Sequence, residues 1–400
     1  MTQQRARRLT SGVLGAAGLI AALTLASRLV GFVRWLVQAW AVGATDTGTA
    51  YASANTVPNV LYEIVAGGAL AGAVIPLLAV PLARHLREDV DRISSALLTW
   101  VLLALTPLAL VVIAAAHPIA AALNGAAGEP AVALTATFLR VFALQIPLYG
   151  VGVVLTGVLQ AHKRFLWPAL APLLSTAVVI VAYVAFGATT AWRSPSPEDL
   201  PGVAVTWLAW GTTAGVAALS LPLLVPVARS GVRLRPTLRF PDGAAGRARA
   251  LALAGLATVV AQQVSVLVLL TVANTYGPAG TYPVYQYANA VYALPYAVFA
   301  VPLATSVFPR VAEHLGTGRA EAAAHMLAGS TRLVLAAAVL GAALLAGLAP
   351  AATAVFELRG PMPGMTAAIT ALAPGVVGYA LLFHLTRALY AMDARRAAVR

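Results

Sequence analysis

Ten apolar segments recur along the sequence, and each is long enough to cross a lipid bilayer as a helix, which needs about 20 residues. Their approximate limits are 13–38, 48–82, 93–116, 131–159, 166–188, 203–228, 250–275, 284–309, 324–349 and 366–390. The chain is 60% hydrophobic and 10% charged, whereas a soluble globular chain is about 25% charged. A soluble fold of this length cannot bury so much apolar surface, so the sequence predicts an all-α, polytopic membrane protein.

The basic residues are distributed unequally between the two sides of these segments. If the N-terminus is cytoplasmic, the cytoplasmic segments carry 19 Lys and Arg residues and the opposite segments carry only Arg193 and Arg359. Cytoplasmic loops of membrane proteins carry such an excess. We therefore predict a multi-pass protein of the bacterial cytoplasmic membrane with a cytoplasmic N-terminus. The net charge of +13 then favours contact with anionic membrane lipids and does not indicate nucleic-acid binding.

The composition also excludes several kinds of chemistry. The sequence contains no Cys, so disulfides, thiolate metal sites and Cys nucleophiles are absent. The six His residues do not pair at metal-ligand spacing, and no loop between the predicted spans is large enough for a catalytic domain. We therefore predict a protein that is not an enzyme and holds no metal or cofactor. A coupling ion or the membrane potential stays open as its energy source.

Polar side chains are concentrated in the first two apolar segments. Arg28, Arg34, Asn55, Asn59 and Glu63 all lie at predicted bilayer depth. An ionised group there costs roughly 2.5–3.5 kcal/mol on insertion scales and persists where it faces water, a partner charge or a ligand. The stretch 27–76 is therefore predicted to form the wall of a polar path through the membrane.

The second apolar segment, 48–82, is too long for one straight crossing. It contains Pro58 and the pair Gly67 and Gly68, and residues of these types are places where a helix bends or breaks. We predict a hinge at these three positions.

A short sequence pattern hints at an internal duplication. Residues 51–55 and 285–289 share the pattern YxxAN at an offset of 234 residues. An even number of predicted helices separates the two copies, so they would enter the membrane in the same orientation, as in two-lobed transporters. We predict an N-terminal lobe of about six helices over 1–229, a basic cytoplasmic linker over 230–249 and a C-terminal lobe of about four helices over 250–400.

Four segments of the sequence carry a family resemblance: SRLVGFVR from Ser27, ANTVPNVLYEIVAGGALAGAVIPLLA from Ala54, YANAVYALPYAVFAVPLATSVFPR from Tyr287 and LYAMDARRAAV from Leu389. The chain resembles the MurJ/MviN family of lipid II flippases, and is most similar to its MviN-like actinobacterial branch. That family belongs to the multidrug/oligosaccharidyl-lipid/polysaccharide (MOP) exporter superfamily. The resemblance implies two six-helix lobes around a central cavity, often with two further helices that form a lipid groove.

The sequence departs from the family pattern at several positions. Thr49 stands where the family commonly has Asp, Tyr62 where it has Arg, Gly67 where it has an acidic residue, and Ala290 where it has Arg. The first-helix arginines alone carry over residue by residue. The ten predicted spans end about where an eleventh would begin, so we expect the family core without its C-terminal helices.

The resemblance implies a transporter that flips the lipid-linked peptidoglycan precursor, lipid II, from the inner to the outer leaflet by alternating access, for cell wall synthesis. Lipid II combines an undecaprenyl tail, a diphosphate and a sugar–pentapeptide head, and planar Arg side chains suit phosphate oxygens. We predict a substrate-binding set, with the arginines on the diphosphate and the amides on the sugar: Arg28, Arg34, Asn55, Asn59, Glu63 and Asn289. Glu63 can pair with Arg28 or change its protonation during transport, and both roles stay open.

Three other functions stay open beside the flippase. A drug or cation exporter of the same superfamily would need acids in its cavity, and Glu63 is the only acid within a predicted span. A non-transporting scaffold would recruit cell wall synthesis proteins through the basic loop 229–249. A membrane glycosyltransferase would need an acidic outer loop, for which the pair Glu198 and Asp199 is the only source.

Overall fold

The computed structural model describes residues 23, 26–65, 71–241, 246, 248, 256–295 and 301–399. These residues are helical apart from turns and loops, and no strand occurs among them. The helices, numbered in chain order, are α1 (26–41), α2 (Asp46–Glu63), α3 (Ala71–Ala83), α4 (Arg87–Ala114), α5 (Ala116–Asn124), α6 (Glu129–Phe142), α7 (Gln145–Ala161), α8 (Leu166–Thr189), α9 (Gly202–Ser220), α10 (Leu224–Ala228), α11 (Leu256–Tyr276), α12 (Thr281–Pro295), α13 (Val301–Gly316), α14 (Ala320–Phe356), α15 (Met365–Leu372) and α16 (Gly375–Val399).

The predicted class, an all-α polytopic membrane protein, is confirmed. Within the described part of the chain, seven helical stretches are long and apolar enough to cross a membrane. They coincide with the third to seventh, the ninth and the tenth predicted spans. The first, second and eighth spans also fall on helices, which are α1, the pair α2 and α3, and the pair α12 and α13.

Proline residues explain why two of the predicted spans are each divided into two helices. Pro147 has no N–H to donate to the carbonyl of Ala143, and the N–H of Ile146 donates to that carbonyl instead, at 3.1 Å. The fourth span therefore changes from α6 to α7 at residues 143–144. In the tenth span, α15 gives way to α16 at residues 373–374, beside Pro374.

The second predicted span is also divided, although not at its proline. Helix α2 continues through Pro58 and ends at Glu63, and α3 begins at Ala71. Gly67 and Gly68 lie outside the described residues. The hinge at these three positions therefore stays a prediction.

Small residues let the transmembrane helices approach closely, as is usual in membranes. Gly211 and Gly215 are four residues apart on α9 and face α8. A Cβ atom at Gly211 would overlap the Cβ of Ala182, and one at Gly215 would overlap a methyl group of Val179. Helices α8 and α9 are therefore held at a separation that only glycine allows.

The described residues divide into two compact units, one ending at Tyr282 and the other beginning at Pro283. The core of the first unit surrounds Tyr51, whose ring meets Phe138 and Phe142 edge-on at centroid distances of 5.7 Å. In the second unit, His384 is buried and lies 3.3 Å from the hydroxyl of Ser330. The predicted N-terminal lobe over 1–229, linker over 230–249 and C-terminal lobe over 250–400 stay a prediction beside this division.

Candidate functional site

A cavity of about 380 Å³ opens in the first unit between helices α2, α7, α8 and α9. Its polar lining is contributed by Tyr62, Glu63, Tyr149, Thr156 and Gln160, and the rest of its wall is glycine, proline and aliphatic. Two of the lining glycines lie on α7, where side chains would collide with neighbouring elements. A Cβ atom at Gly157 would lie 2.6 Å from Val74, and one at Gly152 would lie 2.5 Å from the hydroxyl of Ser220. Glycine therefore fixes the position of this wall.

The end of α2 contributes a polar group that meets α7 beside the cavity. The hydroxyl of Tyr149 on α7 donates a hydrogen bond to Oδ1 of Asn59, at 2.9 Å. The ring of Tyr149 also packs on Tyr62, with a centroid distance of 4.4 Å. Glu63 follows at the end of the helix and is exposed. Of the predicted site residues, Glu63 lines this cavity, and Asn59 lies behind the wall, bonded to the lining residue Tyr149.

The other predicted site residues lie elsewhere. Arg28 is exposed, and Arg34 is half-buried with its guanidinium carbon 4.4 Å from the centroid of the Trp35 ring. Neither arginine lines the cavity. Asn55 is half-buried on α2, and Asn289 is exposed on α12 in the second unit. A role for these residues in binding a substrate stays a prediction.

The alternative in which Arg28 pairs with Glu63 can be compared with the ion pairs of the structure. Among the described residues these are Arg92 with Glu88, at 3.1 Å, and His117 with Glu129, at 3.9 Å. The pair between Arg28 and Glu63 is therefore not formed in this conformation.

The opposite end of α2 is tied down by hydroxyl groups. Thr45 caps the helix by accepting a hydrogen bond from the N–H of Gly48, and its hydroxyl lies 3.0 Å from that of Ser194. Thr47 donates to the carbonyl of Pro195, at 2.7 Å, and Ser194 donates to the carbonyl of Val42. The turn between α8 and α9 is thus fastened to the start of α2.

A second polar cluster joins the middle of α2 to the end of α11. The side-chain nitrogen of Asn274 lies 2.9 Å from the hydroxyl of Ser53, 3.0 Å from the carbonyl of Leu123 and 2.7 Å from Oδ1 of Asn124. Asn124 in turn donates to Thr135, at 2.8 Å. The amide of Asn274 therefore links α11 to both α2 and α5.

The segment that follows α11 continues the same set of contacts. The hydroxyl of Thr49 donates to the carbonyl of Thr45, at 2.9 Å, and accepts from the N–H of Gly280, at 3.0 Å. The hydroxyls of Thr56 and Tyr282 are 2.8 Å apart. Gly280 has φ of +85° and a Cβ there would overlap the carbonyl of Ala44, so this approach requires glycine. Together with the Asn274 cluster, these contacts form what we call the α2 latch.

Sequence reasoning misses most of the α2 latch. Its α2 members are Thr49, Ser53 and Thr56, which recur at a spacing of four and then three residues and therefore share one helix face. That spacing is the sequence pattern from which a polar face on α2 can be predicted. Threonine and serine are, however, common in transmembrane helices, where they also bond to their own backbone.

A buried chain of hydroxyl groups lies on another side of α2. Tyr51 is within hydrogen-bond distance of Tyr183, at 2.8 Å, and of Thr212, at 2.9 Å. Tyr183 donates to Oε1 of Gln38, at 3.1 Å, and Thr212 donates to the carbonyl of Leu208, at 2.7 Å. These contacts join α1, α2, α8 and α9 in the interior of the unit.

Comparison with solved structures places the fold. A lipid II flippase MurJ in an inward closed conformation superposes with a TM-score of 0.75, at 19% identity, over 94% of this chain and 76% of that one. An inward-facing multidrug resistance transporter of the MATE family and MOP superfamily superposes with a TM-score of 0.72, at 15% identity, over 94% of this chain and 85% of that one. The predicted MOP-type architecture is therefore confirmed.

Curated relatives agree with the structural comparison. A probable lipid II flippase MurJ of Rhizobium meliloti is 28% identical over 314 residues, which are 76% of this chain and 55% of the relative. One of Thermotoga maritima is 29% identical over 295 residues, 73% of this chain and 56% of the relative. The chain thus spans about half the length of these curated relatives. A profile of the lipid II flippase MurJ family matches residues 38–400, so the chain belongs to the MurJ family of lipid II flippases.

Proposed function

We propose that this chain takes part in flipping lipid II from the inner to the outer leaflet of the bacterial cytoplasmic membrane by alternating access. The supporting observation is the asymmetry of α2. One half of the helix is fastened by the α2 latch and the Ser194 contacts, whereas the other half lines an open cavity. A transporter that loads substrate from one side needs this combination of a closed end and an open end.

The distribution of basic residues supports an orientation for the two ends of α2 in the membrane. The loop between α7 and α8 contains Lys163 and Arg164 and lies between Gln160 and Pro168, which both line the cavity. The α8–α9 loop, which is fastened to the start of α2, contains a single basic residue, Arg193. By the positive-inside rule, the cavity faces the cytoplasm, where lipid II is made available, and the latched end faces outwards.

The chemistry of the substrate gives each predicted residue a role. Fixed guanidinium groups suit the diphosphate, and we assign this role to Arg28 and Arg34. The amides of Asn55, Asn59 and Asn289 suit sugar hydroxyls. The cavity of about 380 Å³ is near the lower end of the range for drug-sized ligands, so a sugar–pentapeptide head requires further opening. Glu63 has no ion pair within the described residues and is available for coupling to a proton or another ion.

The test uses cells in which this chain is the only flippase candidate. Lipid II that reaches the outer leaflet becomes accessible to a cleaving agent added outside, and we expect this accessibility to fall at least tenfold in Arg28→Ala. The control is Arg332→Ala, which removes an exposed arginine of α14. Unchanged accessibility of lipid II in Arg28→Ala would agree with the flippase function and exclude Arg28 from the binding site. No accessibility with the unchanged chain, at normal membrane insertion, would exclude the function.

The hinge has its own test. Replacing Gly67 and Gly68 by Leu adds bulk at the predicted bending point between α2 and α3, so transport should be lost while the amount of inserted protein is unchanged. The same substitution at Gly347, which has open space around it, should leave transport intact. If the Gly67 and Gly68 variant no longer inserts into the membrane while the Gly347 variant does, the hinge is contradicted.

The similarity to the MATE-family structure favours an exporter as the second candidate. An exporter of cationic drugs would confer resistance that Glu63→Gln abolishes, and would leave lipid II accessibility unchanged. A scaffold for cell wall synthesis proteins would show neither activity and would be retained in cells only with those partners. We favour the flippase, because Arg28 and Arg34 give the first helix the charge that an anionic substrate needs.

A further inference from the structure

The first part of the predicted linker is not a free loop. Residues 232–240 form an extended segment, here called the strap, which lies along α4. The N–H groups of Arg233 and Arg235 donate to the side chains of Asp91, at 3.0 Å, and Ser95, at 2.9 Å. The next donor in the same series is Thr237, whose N–H donates to the hydroxyl of Thr99, at 3.1 Å.

The match between strap and helix follows from their geometry. The acceptors are successive turns apart on α4, about 6.0 Å at 1.5 Å per residue. The donors are alternate residues of an extended chain, about 6.6 Å apart. The two repeats agree closely enough for three consecutive contacts, and the N–H of the Trp100 indole adds a fourth to the carbonyl of Leu238, at 3.1 Å.

The alternation of the strap also sorts its side chains. Val232 is 6% exposed, and Leu234 and Phe240 pack against the core of the first unit. Arg233 and Arg235 are exposed on the other side of the segment. They line a recess of about 320 Å³ together with Glu88, Asp91, Arg92, Ser95 and Thr237.

Each acid of the recess has a partner, and its three arginines outnumber its two acids. Asp91 accepts the backbone N–H of Arg233, and Glu88 pairs with Arg92 at 3.1 Å while remaining 86% exposed. Among the described residues, the ion pairs include neither Arg233 nor Arg235. Two guanidinium groups are therefore held on a fixed backbone without a carboxylate partner.

The depth of the recess in the membrane is marked by its apolar neighbours. Trp100 is 47% exposed and Leu238 is 52% exposed, and each follows the recess residues of its own segment, Trp100 on α4 and Leu238 on the strap. Tryptophan is enriched at the level of the lipid headgroups. In the proposed orientation, Arg233 and Arg235 lie on the cytoplasmic side of this position, at the level of the lipid phosphates.

We infer that the recess binds the phosphate of an anionic phospholipid headgroup in the inner leaflet and that this lipid stabilises the strap on α4. The inference rests on the proposed orientation but not on the flipping activity. Basic residues near an anionic surface contribute about 1 kcal/mol each, which corresponds to about a fivefold change in affinity per arginine. Removing both charges should therefore weaken lipid binding roughly 25-fold.

The test compares purified protein in a neutral detergent, titrated with phosphatidylglycerol or with phosphatidylcholine, and follows the thermal unfolding temperature. Phosphatidylglycerol should stabilise the unchanged chain, and phosphatidylcholine should not. The double variant Arg233→Gln, Arg235→Gln should need about 25-fold more phosphatidylglycerol for the same effect. Arg233→Lys with Arg235→Lys, which keeps the charge and the backbone contacts, should restore most of it.

The matched control is Arg84→Gln with Arg319→Gln, which removes two exposed arginines outside the recess. This control should bind the lipid like the unchanged chain. Equal losses in the control and the recess variant would overturn the inference, because they would show a general charge effect. An unchanged response in the recess variant would overturn it directly. Stabilisation of the unchanged chain by inorganic phosphate alone, to the same extent, would show that the site does not require a lipid.

Discussion

Removing the side chain of Asn274 should loosen the latched end of α2 by a predictable amount. Its amide nitrogen has three acceptors within 3.0 Å but only two hydrogens to donate. At most two hydrogen bonds are therefore lost in Asn274→Ala. Each is worth about 0.6–1 kcal/mol between transmembrane helices, so the closed state should lose about 1–2 kcal/mol. That loss corresponds to about a five- to thirtyfold increase in the open population.

The absence of Cys from the chain makes this change measurable. Ala52 is 2% exposed and shares the α2 face that carries Thr49 and Thr56. A thiol placed by Ala52→Cys should react with a membrane-impermeant maleimide only when the latched end opens. We expect its labelling rate from the outer side to rise about five- to thirtyfold in Asn274→Ala.

The control for this prediction is a residue of α11, the helix that carries Asn274. Thr271 on α11 is exposed and donates to the carbonyl of Leu267 within its own helix, at 2.9 Å. Thr271→Ala therefore removes a polar group of α11 without removing an interhelical bond, and labelling should stay at its original rate. Equal labelling in all three proteins would refute the assignment of the α2 latch as a closure. An equal rise in both variants would mean that α11 is merely destabilised.

Two further predictions concern stability in detergent, followed by thermal unfolding. Gly211→Ala places a Cβ against Ala182 and should lower the free energy of unfolding by about 1–3 kcal/mol through overpacking. Gly347→Ala enters open space and should leave the free energy of unfolding unchanged or raise it by up to about 1 kcal/mol. A similar loss of stability in both variants would contradict the packing argument. Tyr183→Phe leaves the buried Oε1 of Gln38 without its donor and should cost about 1–3 kcal/mol. Unfolding at the original temperature would show that another donor replaces it.

Much of the fold can be predicted from the sequence, because long apolar segments have few alternatives in a membrane. The division of two spans beside Pro147 and Pro374 can also be predicted from the sequence, because each proline lacks the N–H that the carbonyl four residues earlier would accept. The end of α2 at Glu63 cannot be predicted in this way. The helix continues through Pro58, although the sequence favours that proline as a bending point.

The site is less predictable than the fold. Asn59 and Glu63 are recognisable because amides and acids are rare in apolar helices; Glu63 lines the cavity and Asn59 accepts a hydrogen bond from the lining residue Tyr149. Tyr149 is not recognisable, because its role depends on the approach of α7 to α2. The strap is hidden from sequence reasoning for a different reason: its donors are backbone N–H groups, which every residue except proline provides.

The matched repeats of strap and helix constrain how the length of this region can change. A single-residue deletion between Val232 and Leu238 would exchange the two sides of the strap, exposing aliphatic side chains to water and turning arginines towards the core. Two residues of strap correspond to one turn of α4, so a tolerated change must come in pairs and must shift the helix contacts by about four residues. Variation in linker length within this family should therefore be even-numbered wherever a strap of this kind is present, and a single-residue insertion here should be more damaging than most point substitutions of its exposed residues.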